Sequence, residues 1–357
     1  MTVETWTLLP SVPKVATRDA VRAEADGWTG VMLADSQNLA AELIVEMSMI
    51  VARTERVLVS PGVTNPVTRH PAVLAGAFAT LQAESGGRIA VEIGRGDSAL
   101  AHLGFSPMKL RPFRRYLQAL QGYLRGDEVP FDPSFVPAHV ASVGDLGLGV
   151  APEGSSLRWL RPQQPKVPVG VAATGPKVIA IGATIGDAVS FSVGGDPERV
   201  RAAIERARAA RIESGFDPDS LRLGAFLNIA VHDDMETAAR ITSGKLASFS
   251  RFSVMHGKVT GEATGADEAE LERLHGKYDM TSHGRADAEH TTLLSAEFAE
   301  RNAIIGSAKQ CLERLMELRE LGITRFFLTE EFSREGVAGE SHAAIVEEIV
   351  PEVNSWT

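Results

Sequence analysis

The feature that most constrains this chain is an alternation. Short runs with strand character are separated by longer stretches of helical periodicity. Strands are expected at residues 5–9, 29–34, 57–62, 88–93, 166–172, 188–193, 221–231 and 323–329. Helices are expected between them. Thr17 can cap one that Gly27 stops, and Leu43, Met47, Ile50 and Val51 share one face of another across 39–53. Pro71 opens a third that Gly86-Gly87 ends. Others are expected at 113–125, from Gly175-Pro176, at 197–214, from Asp234 towards Phe252, at 307–321 and at 342–350. A parallel return between strands needs a crossover, and a helix is the usual one. Eight such units predict the α/β class with a closed (β/α)8 TIM barrel; a doubly wound sheet with a second domain is the rival.

One domain over residues 1–357 accommodates the pattern, with two departures from it. Residues 129–154 are rich in proline and glycine and are expected to be irregular. Residues 255–290 are polar, dotted with glycine and rich in histidine, and read as an insertion lying over the barrel mouth. No short repeat or low-complexity linker interrupts the chain.

Composition serves to exclude partners. A formal charge of -10 disfavours nucleic acid and anionic membrane, both of which reward basic patches. The first ten residues lack a cationic n-region and a long apolar stretch, and no run approaches a membrane span, so neither signal peptide nor membrane helix is expected. The single cysteine, Cys311, precludes an internal disulfide and lies within an apolar-periodic helix as a core thiol. The expectation is a cytoplasmic protein acting on a small molecule.

In a barrel of this kind the chemistry sits at the carboxyl ends of the strands. That rule selects Asp35-Ser36, Gly62 to Asn65, Gly94 to Ser98, Ala173 to Lys177, Val193 to Asp196 and Thr329 to Glu331. Asp35 and Asp97 fall just past strand ends and are the catalytic candidates, as proton donor or base, although each could instead cap the next turn. Gly94 lets backbone approach a flat ligand closely. Thr174, Gly175, Pro176 and Lys177 form a small-residue turn into a helix start, the arrangement that cradles a phosphate; Gly194 opens a weaker version. No Walker motif, no dinucleotide G-x-G-x-x-G after the first strand and no G-x-S-x-G elbow is present. The nine histidines show no metal-ligand spacing, so no metal is expected.

Pro61-Gly62-Val63-Thr64-Asn65-Pro66, Thr68-Arg69-His70-Pro71, Gly86-Gly87-Arg88 and Ile93-Gly94-Arg95-Gly96-Asp97 together resemble the luciferase-like monooxygenase superfamily. Within it they are most similar to the branch containing methylenetetrahydromethanopterin reductase and related deazaflavin-dependent oxidoreductases. The resemblance extends through residues 172–177 and 322–328 and so covers most of the chain.

It implies an α/β barrel binding coenzyme F420 or FMN at the carboxyl end, and a non-prolyl cis peptide at Gly62–Val63 supporting the ring. Thr64, Asn65 and Gly94 would complete that support, with Asp35 and Ser36 near the ring. Asp97 would stand where some members carry a glutamate proposed as proton donor. Thr174, Gly175 and Pro176 would hold the cofactor phosphate, and Arg69 and His70 would start a helix and pack. A dimer or tetramer is implied. The sequence departs from the family pattern at Ser36, where many members have histidine, and at Arg95, where proline or threonine is common. The favoured activity is hydride transfer between F420 and a small organic substrate. The alternatives are an FMN-dependent monooxygenase with a separate reductase and a non-catalytic flavin-binding barrel.

Overall fold

All eight expected strands are present, and they close. The computed structural model describes residues 2–357 except 262, 264 and 286. Its strands are β1 (Glu4–Leu9), β2 (Gly30–Leu33), β3 (Leu58–Pro61), β4 (Val91–Ile93), β5 (Val129–Pro130), β6 (Gly154–Ser155), β7 (Val169–Ala173), β8 (Ala188–Phe191), β9 (Arg222–Val231), β10 (Ile304–Gly306) and β11 (Arg325–Thr329). The main sheet runs β3-β2-β1-β11-β9-β8-β7-β4, every pairing parallel. Bridges Val59↔Ile89 and Thr64↔Ile93 join its two edges, giving an eight-stranded parallel TIM barrel with helices outside. β10 adds to the end of β9, and β5 and β6 form a small antiparallel pair in the irregular stretch.

The barrel interior is filled by large side chains facing glycines. Trp6, Leu8, Met32, Ala90, Phe226 and Phe327 form the inner cluster, with the Phe226 and Phe327 rings stacked 4.6 Å apart. A Cβ at Gly30 would lie 2.2 Å from the Trp6 ring, and one at Gly224 would lie 2.8 Å from Phe327. These two positions are glycine because the neighbouring rings occupy the space. Below the rings, Arg325 donates to Glu92 Oε1 at 2.7 Å and to Glu4 Oε2 at 3.2 Å, and it lies 4.8 Å from the centre of the Phe327 ring. Arg325 and Glu92 are buried, so each needs the other. These buried ion pairs fill the lower end of the barrel, opposite the carboxyl ends of the strands.

Helix starts follow the sequence signals. Pro71 sits at the first position of the helix Pro71–Glu84, and the His70 ring accepts the Ala72 N–H at 3.2 Å. Asp196 accepts the Glu198 and Arg199 N–H groups ahead of the helix Pro197–Glu213. Cys311 is buried, and burial pushes its thiol up to about 12, which makes it a core group.

The stretch 255–290 holds more structure than its polarity predicts. It contains the helix Gly265–Lys277, whose Leu271 and Leu274 are buried. Leu271 joins Ala238, Ile241, Leu246, Val254, Phe298 and Ile305 in a second apolar cluster beside the barrel. This anchors the excursion against the helix Met235–Ser250 that follows β9. Among the described residues no helix is long and apolar enough to cross a membrane.

Candidate active site

The rim divides into a closed half and an open half. On the closed half, the Gly62–Val63 peptide after β3 is cis. The β3–β4 ladder is interrupted there: Val59 exchanges bonds with Arg88 and Ala90, and pairing resumes only where Thr64 N–H donates to Glu92 O at 3.0 Å. The backbone between forms a bulge pointing into the mouth. A Cβ at Gly62 would approach Met32 Cβ to 2.8 Å, and one at Gly94 would approach Val63 to 3.2 Å. Glycine at both positions lets two strand ends come together and leaves Val63 facing an uncluttered surface.

The polar groups beside this bulge are already committed. Thr64 Oγ1 and Arg69 Nη1 donate to Asp35 Oδ2 at 2.7 and 2.8 Å, and Gln37 Nε2 donates to Asp35 Oδ1 at 2.7 Å. Asp35 is 3% exposed. A buried carboxylate with a guanidinium and two further donors ties this wall of the rim together. Arg69 is likewise more than a packing residue, since it ties Asp35 to Glu42. Asn65 accepts the Val67 and Thr68 N–H groups at 3.0 Å each and so shapes the loop. Thr64 and Asn65 thus hold the bulge through buried side chains. Ser36 meets Ser98 across the rim at 3.2 Å between hydroxyl oxygens. Arg95 donates to Met108 O at 2.7 Å.

Asp97 lies at the junction of the two halves. It forms an ion pair with Arg251, which follows the helix Met235–Ser250. Sequence reasoning left Arg251 unmarked. Its guanidinium lies 4.9 Å from the centre of the Tyr278 ring; Tyr278 stacks on His290 at 4.1 Å, and its hydroxyl is 2.6 Å from His283 Nδ1. Lys245, on the helix that ends just before Arg251, places its ammonium 3.5 Å from the centre of the Phe332 ring. The only available signal was the histidine content of 255–290, which says nothing about where those rings point.

The third feature is the candidate phosphate cradle. Thr174 Oγ1 donates to Ser192 O at 3.1 Å, tying the end of β7 to the end of β8, and Gly175 and Pro176 start the helix Pro176–Ile185. Lys177 is exposed and makes no ion pair among the described residues. Gly194 has φ +86°, and a Cβ there would meet Asn302 O at 3.1 Å. A cavity beside it is lined by Ser192, Gly194, Arg199, Asn228, Ser253 and Asn302. Ser192 Oγ is buried without a hydrogen-bond partner among the described residues. An unsatisfied hydroxyl, a free helix start and a glycine-lined wall are what a cofactor phosphate requires, so the residues fit such a group. Among the described residues no group of three or more His, Cys, Asp or Glu is placed to hold a metal ion.

A cleft at the carboxyl end of a parallel barrel, with a strand-end bulge on one wall and a phosphate cradle on another, defines an α/β-barrel enzyme of the flavin- or deazaflavin-binding kind. The family model for luciferase-like monooxygenase matches residues 2–325, and the chain belongs to that family. The 5,10-methylenetetrahydromethanopterin reductase of Methanolobus tindarius is 23% identical over 85% of this chain and 86% of its own length. The F420-dependent glucose-6-phosphate dehydrogenase of Beutenbergia cavernae is 30% identical over 50% of this chain and 53% of its own. The solved coenzyme F420-dependent tetrahydromethanopterin reductase of Methanopyrus kandleri shares the fold with a TM-score of 0.72, covering 99% of both chains at 18% identity.

Proposed function

We propose that this chain is an oxidoreductase that moves a hydride between coenzyme F420 and a small organic substrate. The choice of cofactor is supported by the F420-dependent relative at 30% identity. The placement is supported by one observation above the others, the bulge of Gly62 and Val63 facing Gly94 across the open mouth. Gly62, Val63 and Gly94 would support the ring, Ser36 would lie at its edge, and Thr174, Gly175, Pro176, Lys177 and Gly194 would hold the phosphate. When bound, the cofactor supplies a two-electron carrier that exchanges a hydride and reacts poorly with oxygen.

The remaining work falls to the chain. Asp35, Thr64, Asn65 and Arg69 fix the bulge so that it does not reorganise around a ligand. Asp97, held against Arg251, is the group we assign to proton exchange with the substrate; as a carboxylate it accepts a proton in the oxidative direction. The excursion 255–290 serves as a lid that limits water at the mouth. Val45 and Met49 are exposed on the helix Leu43–Val51, as is Val73 on the helix Pro71–Glu84, and this apolar barrel side supports assembly as a homodimer. The protein is assigned to the cytoplasm.

Titration of the purified protein with reduced F420 and reduced FMN, with oxygen uptake followed in parallel, tests the reading. Saturable F420 binding without oxygen uptake is expected. Tight binding of reduced FMN with oxygen consumption would replace it with the flavin monooxygenase alternative.

A further inference from the structure

The glycine wall after β8 is held from behind, and one residue does most of the holding. Asn302 ends the helix Ala296–Asn302 and is 1% exposed. Its backbone carbonyl accepts the Gly195 N–H at 2.8 Å. A Cβ at Gly194 would lie 3.1 Å from that carbonyl oxygen and 3.2 Å from Asn302 Oδ1, and one at Gly195 would lie 3.0 Å from Ile304 Cδ1. The two glycines therefore let the wall settle directly onto residues 302–304. Arg314 holds the same wall by a second bond, donating from Nη2 to Gly195 O at 2.8 Å.

The Asn302 side chain is itself fixed by two further segments. Its Oδ1 accepts from Arg199 Nη1 at 3.0 Å, and Arg199 Nη2 donates to Ser253 Oγ at 2.8 Å. Its Nδ2 donates to Phe298 O at 3.1 Å, within its own helix, and to Asp267 Oδ2 at 3.2 Å. Asp267 is buried in the first turn of the helix Gly265–Lys277, and its other oxygen accepts from Arg301 Nε at 3.0 Å. Ser253 O accepts from Thr260 N–H and Oγ1 at 2.8 and 3.1 Å, and a Cβ at Gly175 would lie 4.0 Å from Thr260 Oγ1. The excursion thus comes up to both glycine-bearing walls of the cradle, at Gly175 through Thr260 and at Gly194 through Asp267 and Asn302.

Closing a helix end would need only the bond to Phe298 O. The others join the loop after β8, the helix Pro197–Glu213 and the excursion at a single side chain. A primary amide suits such a meeting point, because it accepts at one atom and donates at the other. These side-chain bonds are buried, so the positions they fix are stiff. A stiff wall holds a ligand group without first having to order itself, which favours affinity.

We infer that Asn302 is a positioning residue for the cofactor. It sets the Gly194–Gly195 wall that grips the phosphate end, and Asp267 links that setting to the excursion. The excursion is then part of the cofactor site as well as a cover for the mouth. This role rests on the cofactor reading given above for the identity of the cradle. It concerns the phosphate end and not the ring, so it holds for F420 and FMN alike.

Equilibrium titration of the purified protein with F420, and separately with its phosphate-free deazaflavin chromophore, tests this role. Asn302→Ala is expected to weaken F420 binding by about tenfold or more, the size of one or two lost hydrogen bonds. The chromophore alone is expected to bind the variant as it binds the parent. Turnover at saturating F420 is expected to stay near that of the parent, so that the loss falls on KM. Asp267→Ala, on the excursion, is expected to show the same split at roughly threefold, and it decides the matter if Asn302→Ala does not fold. Unchanged F420 affinity in the folded variant overturns the role, as does equal loss of both ligands, which is what a purely structural residue would produce. A parent that takes FMN but not F420 removes the F420 reading alone, and FMN with riboflavin then replaces the pair. A parent that binds none of the four overturns both.

Discussion

The two halves of the rim are built from the same kinds of residue and end up in opposite states. Around the β3 bulge, Asp35, Thr64, Gln37 and Arg69 satisfy one another and are packed shut. Around Tyr278, the charged and donor groups are held close by ring contacts, and several keep a buried atom without a partner. A satisfied network is rigid and holds a surface in place, whereas one held by ring contacts is free to rearrange its polar atoms. Asp97 belongs to both, because its backbone leaves β4 and its carboxylate reaches Arg251.

The largest effect that would break this contrast is on turnover. Asp97→Asn is expected to lower kcat by about 10²-fold or more, the range for loss of a positioned acid or base, with F420 affinity nearly intact. Steady-state kinetics beside a cofactor titration check it, and unchanged turnover removes Asp97 from the chemistry. Next in size is the stability of the closed half. Asp35→Ala leaves the half-buried Arg69 with Glu42 alone and is expected to cost about 3 kcal/mol in denaturant unfolding. Thr64→Val removes one donor from that carboxylate and is expected to cost about 1–3 kcal/mol by the same measurement.

In the open half the sign should reverse. Lys245→Met replaces a buried, unpaired ammonium resting on a ring, and is expected to leave stability unchanged or to raise it by up to about 1 kcal/mol. A loss as large as that of Asp35→Ala would show that the two halves are not different in kind.

The smallest expected effect is a pH dependence. His283 has its folded pKa lowered from 6.5 to about 4, chiefly by burial, so the unfolded chain takes up a proton first as pH falls. Its contribution to stability is complete above about pH 6.5 and is lost progressively between there and pH 4. The melting temperature of His283→Gln should therefore fall less than that of the parent over this interval.

Much of the fold was legible. Strand after strand announced itself by composition, and the punctuating residues Pro71, Pro176 and Pro197 stand at helix starts because a missing N–H and a fixed φ suit only that position. The resemblance placed the cis peptide at Gly62–Val63, where it is found. The helix Gly265–Lys277 escaped notice because glycines and charges dilute its pattern, while the two leucines that bury it are too few to set a period. The strand end marked the place of Asp35, but not the three donors that surround it: Gln37 is close in sequence, whereas Thr64 and Arg69 come from the segment after β3.

The sequence alone determined the alternation of elements, the barrel it leads to and the strand ends where a ligand can sit. Those follow from local periodicity and turn chemistry, which act over a few residues. Only the tertiary structure decided which polar groups are spent and which are free. Asp97, Lys245, Arg251, Tyr278, His283 and His290 lie nearly two hundred residues apart at their extremes and share no local pattern. Their meeting depends on closure of the barrel and on packing of the excursion against the helix after β9, and no short stretch of sequence records either.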